Sequence, residues 1–158
     1  MNSQSRPPLV AWFILAFATV QVRGLWADWL HSPMDRLGWL ALALWLVPGI
    51  VRWAARGGIA FDRLSAVLLV LGGTLLLVGV ILELHILAHI AFACAVAAVV
   101  RPSGLPWVWL VGAISWMPAL TSISKELPLA AIISLRIILA TVAAIIGLLP
   151  LRRIPARP

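Results

Sequence analysis

Between Arg63 and Glu83 lie 19 residues, Leu64–Leu82, without a single charged side chain. Coiled as a helix at 1.5 Å per residue, that run covers about 28 Å, close to the hydrocarbon thickness of a bilayer. It is not isolated. The chain is 63% apolar and 11% charged, where a soluble domain carries roughly 25% charged residues. With so few charges the chain has no means of covering its own surface in water. The polar groups of a backbone in lipid must find partners within the same segment, which leaves helices as the element these runs can form.

Six such runs can be marked off by charge, Gly and Pro: Pro8–Val22, Leu37–Trp53, Leu64–Leu82, Leu84–Val100, Leu105–Leu120 and Leu127–Leu151. Pro33, Gly57-Gly58, the stretch from Pro102 to Pro106, and Pro128 punctuate them. The expected fold is therefore all-α: a polytopic membrane bundle of about six transmembrane helices, one domain over residues 1–158. Arg6, the apolar stretch from Leu9 and Ala16-Phe17-Ala18 have the pattern of a signal peptide, but the stretch is expected to stay as the first helix.

Leu64–Val100 contains one charge, Glu83, and no Gly or Pro at that turn, so one long helix competes with two. Charge asymmetry favours two. With six crossings and both termini cytoplasmic, the inner segments hold eight basic residues: Arg6, Arg52, Arg56, Arg63, Arg101, Arg152, Arg153 and Arg157. The outer segments hold three, Arg23, Arg36 and Lys125. Fusing the two helices erases the bias. The same distribution places the net charge of +7 at helix ends, where it orients the chain, rather than on a nucleic-acid-binding face. Most tryptophans fit this topology. Trp12, Trp53, Trp107 and Trp109 fall near the inner interface and Trp26, Trp29 and Trp39 near the outer one, while Trp45 and Trp116 fall mid-span and are expected to pack between helices. Small residues at four-residue spacing, Ala91/Ala95, Ala93/Ala97, Ala140/Ala144 and Ala143/Gly147, suit close helix approach.

Four polar side chains converge on the outer leaflet in this topology. Glu83 marks the turn, His85 and His89 follow it, and Arg136 lies roughly 13 Å into the last helix. A buried arginine at that depth needs a partner, and Glu83 is the expected one, making either a structural ion pair or an outward polar pocket with His85 and His89. The two histidines, spaced i, i+4, share a helix face; with His31 they make a three-histidine metal site conceivable, though no acidic cluster supports it. No cofactor is expected. Cys94, the single cysteine, excludes an intramolecular disulfide. His89 lies roughly 500° around the helix from it, so Cys94 is expected to be a packed thiol rather than an activated nucleophile.

Met117-Pro118-Ala119-Leu120, Glu126-Leu127-Pro128-Leu129, Ser134 and Ile146-Gly147-Leu148 resemble the membrane segment of the exosortase/archaeosortase family just before its catalytic cysteine. Ala130 stands where that pattern has glutamine. The resemblance implies a membrane-embedded cysteine transpeptidase that processes C-terminal sorting signals. Its Cys-Ser-Gly motif should follow Leu148, and residues 149–158 do not contain it. A second register sets Cys94 against the nucleophile and Arg136 against the family's arginine, without the motif around Cys94 or a third catalytic residue downstream. Neither register completes an active site, so the resemblance points to an inactive relative.

The leading expectation is a non-catalytic accessory or scaffold subunit of a bacterial inner membrane. Its partners would be the lipid bilayer and other membrane protein subunits, with no nucleic acid. An exosortase-like enzyme using Cys94 and Arg136 comes second. A transporter or channel component and a haem- or pigment-binding subunit follow. The spans from Leu64 and Leu105 offer few polar side chains to line a path.

Overall fold

The computed structural model describes residues 9–56, 61–100, 106–124 and 126–149. Among them every extended element is helical: α1 (Leu9–Gln21), α2 (Gly24–His31), α3 (Gly38–Arg56), α4 (Arg63–Ile81), α5 (His85–Val99), α6 (Pro106–Val111), a 3-10 segment (Gly112–Ser115), α7 (Pro118–Ile123) and α8 (Leu129–Leu148). Three stretches are long and apolar enough to cross a membrane: Leu9–His31 with 23 residues, Arg63–Ile81 with 19 and Leu129–Leu148 with 20. Gly38–Val51 and His85–Val99 are shorter apolar helices. The expected ends at Pro8, Leu105 and residues 150–151 lie outside the described residues.

The stretch from Leu64 to Val100 is two helices. Asp62 opens α4 by accepting the Ser65 amide on its side chain at 2.9 Å, a normal N-cap bond. The α4 end folds back without Gly or Pro because Glu83 takes the left-handed conformation, φ 54°. The Leu84 amide then donates to the Gly79 carbonyl at 2.9 Å and the Glu83 amide to that of Val80 at 3.4 Å, the bond pair of a Schellman C-cap. The two helices pack along most of their length. Gly79 lies against Leu87 and Ala88, and Gly72 against Ala91 and Cys94, so the pair is antiparallel. A Cβ on Gly72 would sit 3.2 Å from the Ala91 carbonyl oxygen and from Cys94 Cβ. The alanines of α5 fill this closely approached seam and are nearly all buried.

Two expectations about the helices are corrected. The stretch between the expected helices Pro8–Val22 and Leu37–Trp53 is read as a connection, yet Gly24–His31 within it is helical and follows α1 after a tight joint, with the Leu25 amide donating to the Val22 carbonyl at 2.9 Å. The run Leu105–Leu120 is not one helix. It changes from α to 3-10 at Gly112, breaks at Trp116-Met117, and resumes at Pro118 as the first residue of α7. Proline disfavours helical backbone in the residue before it and has no N–H to extend the ladder. Met117 accordingly sits at φ −79°, ψ 145°.

The core forms around that break. Trp45, Trp109 and Trp116 are completely buried. The Trp45 and Trp109 rings stack at 4.2 Å with 3° between planes, Trp116 tilts against Trp45 at 5.8 Å, and Phe92 of α5 meets Trp116 edge-on at 5.8 Å. Trp109 thus belongs to the interior rather than turning outward to an interface. α3 crosses α8 where Pro48 meets Gly147, whose added Cβ would stand 2.8 Å from the proline ring. A Cβ on Gly112 would collide with Ala143. The small residues of α8 therefore let the broken segment and α3 lie directly on it.

Candidate functional site

A break in a buried helix frees carbonyl groups, and away from water each freed group needs a donor from the protein. Three side chains supply them. Trp45 Nε1 donates to the Trp109 carbonyl at 2.6 Å, where α6 gives way to the 3-10 segment. Arg136 Nη1 donates to the Ser115 carbonyl at 3.0 Å, and Trp29 Nε1 to the Trp116 carbonyl at 3.4 Å. Trp109 Nε1 returns a bond to the Trp45 carbonyl at 2.6 Å, in the turn of α3 that precedes Pro48. The donors come from α2, α3 and α8 and converge on one irregular connection.

Arg136 is the centre of the charged part. It is fully buried, and its Nη2 donates to Asp35 Oδ1 at 2.6 Å and to Thr121 Oγ1 at 3.0 Å. Thr121 in turn donates to Asp35 Oδ1 at 2.7 Å, and the Ser32 hydroxyl to Asp35 Oδ2 at 3.0 Å. Asp35 is 5% exposed and sits in the turn between α2 and α3, its amide bonded to the Ser32 carbonyl and its carbonyl to the Gly38 amide. The loop after α2, the α7 hydroxyl and α8 are thereby tied to a single guanidinium. Ser115 Oγ, Trp116 Nε1 and Arg136 Nε are buried in the same region without a hydrogen-bond partner among the described residues.

The carboxylate on Arg136 is therefore that of Asp35, and the expected pairing with Glu83 is corrected. Glu83 is exposed at the α4–α5 turn, where its backbone, not its charge, does the structural work. In the sequence Asp35 stands beside Arg36 just after Pro33, and so reads as a solvated loop charge. The signal that could have exposed it is the Ser32-Pro33-Met34-Asp35 turn pattern, which folds an acid back onto the helix ends.

The remaining candidates do share a place. A cleft of about 350 Å³ is lined by Gln21, Arg23, Gly24, Asp28, His85 and His89. A neighbouring cavity of about 310 Å³ adds Ile86, Pro118, Ala119, Ser122 and Ile123, and a third of about 240 Å³ brings Gln21, Glu83 and His85 together. His85 borders all three, so they surround one end of α5. His89 is 8% exposed and its ring still reaches the cleft. α7 separates this cleft from the buried network, with Ser122 on one side and Thr121 on the other.

His31 is not drawn into the cleft: its Nδ1 donates to the Ala27 carbonyl one turn earlier at 2.8 Å. Among the described residues no group of three His, Cys, Asp or Glu side chains is placed to hold a metal. Cys94 is 1% exposed, in the α4–α5 seam against Gly72. The chain matches no family model, no curated protein and no solved structure.

Proposed function

We propose that this chain is a multi-pass protein of the inner membrane, crossing six times with both termini in the cytoplasm, that acts as a non-catalytic subunit holding other membrane proteins. The broken segment α6–3-10–α7 makes the fifth crossing, and α3 and α5 make short ones. The excess of arginine in the segments assigned to the inside supports this orientation. The apolar periphery, with Phe13, Val70, Leu77 and Ile138 all exposed, suits a protein that meets lipid and other helices around its circumference.

The observation that carries the non-catalytic reading is the closure of Arg136. Its terminal nitrogens are bonded to Asp35, Thr121 and the Ser115 carbonyl, and the residue is inaccessible. An arginine serving a reaction has to face the reacting group; this one holds together a helix break. The exosortase-like reading needs Cys94 and Arg136 in one site, and each is enclosed in a different packing. A haem held between histidines needs ligands on opposite sides of the iron, whereas His85 and His89 share one face of α5.

Gentle purification of the tagged chain, followed by photo-crosslinking in intact membranes from Val70 and Ile138, tests the reading. A discrete, stoichiometric membrane partner at one of these positions is the expected result. Crosslinks to lipid alone, together with loss of function at normal abundance in Cys94→Ala, would replace it with the enzyme reading. Cysteines at Ser3 and Ala156 should be shielded from an impermeant thiol reagent in intact cells while one at Ser32 reacts. Labelling at Ala156 alone would mean an odd number of crossings.

A further inference from the structure

The cleft at the start of α5 holds more polar side chains than the fold uses. Arg23, Asp28, His85 and His89 all line it, and among the described residues none of their side chains has a hydrogen bond or ion pair. His89 is the telling member: the residue is 8% exposed, it lines the cleft, and among the described residues its side chain has no hydrogen-bond partner, so its imidazole depends on whatever occupies the cleft for one. The helix dipole favours an anion at the same spot, since His85 is the first residue of the 15-residue helix α5. Arg23 supplies a permanent positive charge across the cleft.

Two features narrow the anion. Asp28 shares the cleft, so a doubly charged phosphate would be repelled more than a singly charged one. The adjoining cavity opens along Ile86 and Ile123, which are 46% and 74% exposed. An apolar rim beside a polar floor fits a molecule that is itself amphipathic. Cavities of about 310 and 350 Å³ also fall within the roughly 300–1,000 Å³ common for bound small molecules.

We propose that this cleft binds one membrane phospholipid through its phosphodiester, with Arg23, His85 and His89 on the phosphate and the acyl chains along Ile86 and Ile123. The proposal is independent of partner binding, because lipid retention and partner capture are read separately and either can fail alone.

The test uses the full chain, purified in phosphate-free mild detergent. Thermal unfolding is followed while phosphatidylglycerol, diacylglycerol or water-soluble glycerophosphoglycerol is added. Phosphatidylglycerol should raise the melting temperature saturably, and the other two should not, since one lacks the phosphate and the other the chains. Arg23→Gln with His85→Ala, both exposed positions, should leave the lipid-free melting temperature in place and weaken binding by about tenfold or more. Asp28→Asn should admit phosphatidic acid, which carries the higher charge. Equal stabilisation by diacylglycerol, or undiminished binding in the double variant, would overturn the site. Equal stabilisation by the soluble headgroup would overturn the lipid as its occupant.

Discussion

Trp45 and Trp109 exchange hydrogen bonds, each indole N–H donating to the other's backbone carbonyl at 2.6 Å while the rings stack at 4.2 Å. The Trp45 ring therefore satisfies a carbonyl at the end of α6, and the Trp109 ring adds a bond to a carbonyl in the turn of α3 before Pro48. Trp45→Phe and Trp109→Phe should each destabilise the protein by roughly 2–4 kcal/mol, because a buried indole hydrogen bond is lost and the stacked contact shrinks. The double variant should cost less than the two singles added, since the stack is shared. Reversible unfolding in mixed micelles measures all three, and strict additivity would mean that the rings act independently.

Gly38 lies beneath the Trp29 indole, and an added Cβ would collide with the ring. Gly38→Ala should displace Trp29, remove its bond to the Trp116 carbonyl and cost about 1–3 kcal/mol. In a Trp29→Ala background the same change should be nearly neutral. A full cost there would place the strain elsewhere.

Glu83 occupies a left-handed position that glycine adopts more readily. Glu83→Gly should therefore leave stability unchanged or raise it by up to about 1 kcal/mol, the relief of strain being partly offset by the freer unfolded chain. Melting temperature in detergent gives the answer. A clear loss would show that the carboxylate holds something the backbone does not.

Cys94 fills a small space against Gly72. Cys94→Ala should change stability by about 1 kcal/mol or less and leave abundance intact. Cys94→Leu should be far worse, because the seam has no room for it. Equal tolerance of both substitutions would mean a looser α4–α5 packing than the one described.

The helical class and the long spans were legible in the sequence because hydropathy and charge report them directly, one residue at a time. So was the α4–α5 turn, although by charge balance rather than local chemistry: Glu83 carries no turn signature, and only its backbone angle reveals the cap. The break in the fifth run was written in Gly112, Ser115 and Pro118, but uniform hydrophobicity masked it. Asp35 was missed because the pairing closes over 101 residues, a distance at which no periodicity operates. The cleft residues His85 and His89 were visible as a pair. Arg23 and Asp28 joined them only because α2 continues α1 where a loop was expected.

The account rests on Arg136 serving as a fastener between Asp35 and the broken segment, and a double-substitution cycle tests that most directly. Arg136→Leu and Asp35→Leu should each cost about 3–5 kcal/mol by stranding a buried charge. Together they should recover much of that loss, although incompletely, because the Ser115 carbonyl and Thr121 also lose a partner. Glu83→Leu should show no coupling to Arg136. Unfolding free energies in mixed micelles that give a large Asp35–Arg136 coupling agree with the account. Additive losses at Asp35 and Arg136, with coupling appearing instead between Glu83 and Arg136, would contradict it.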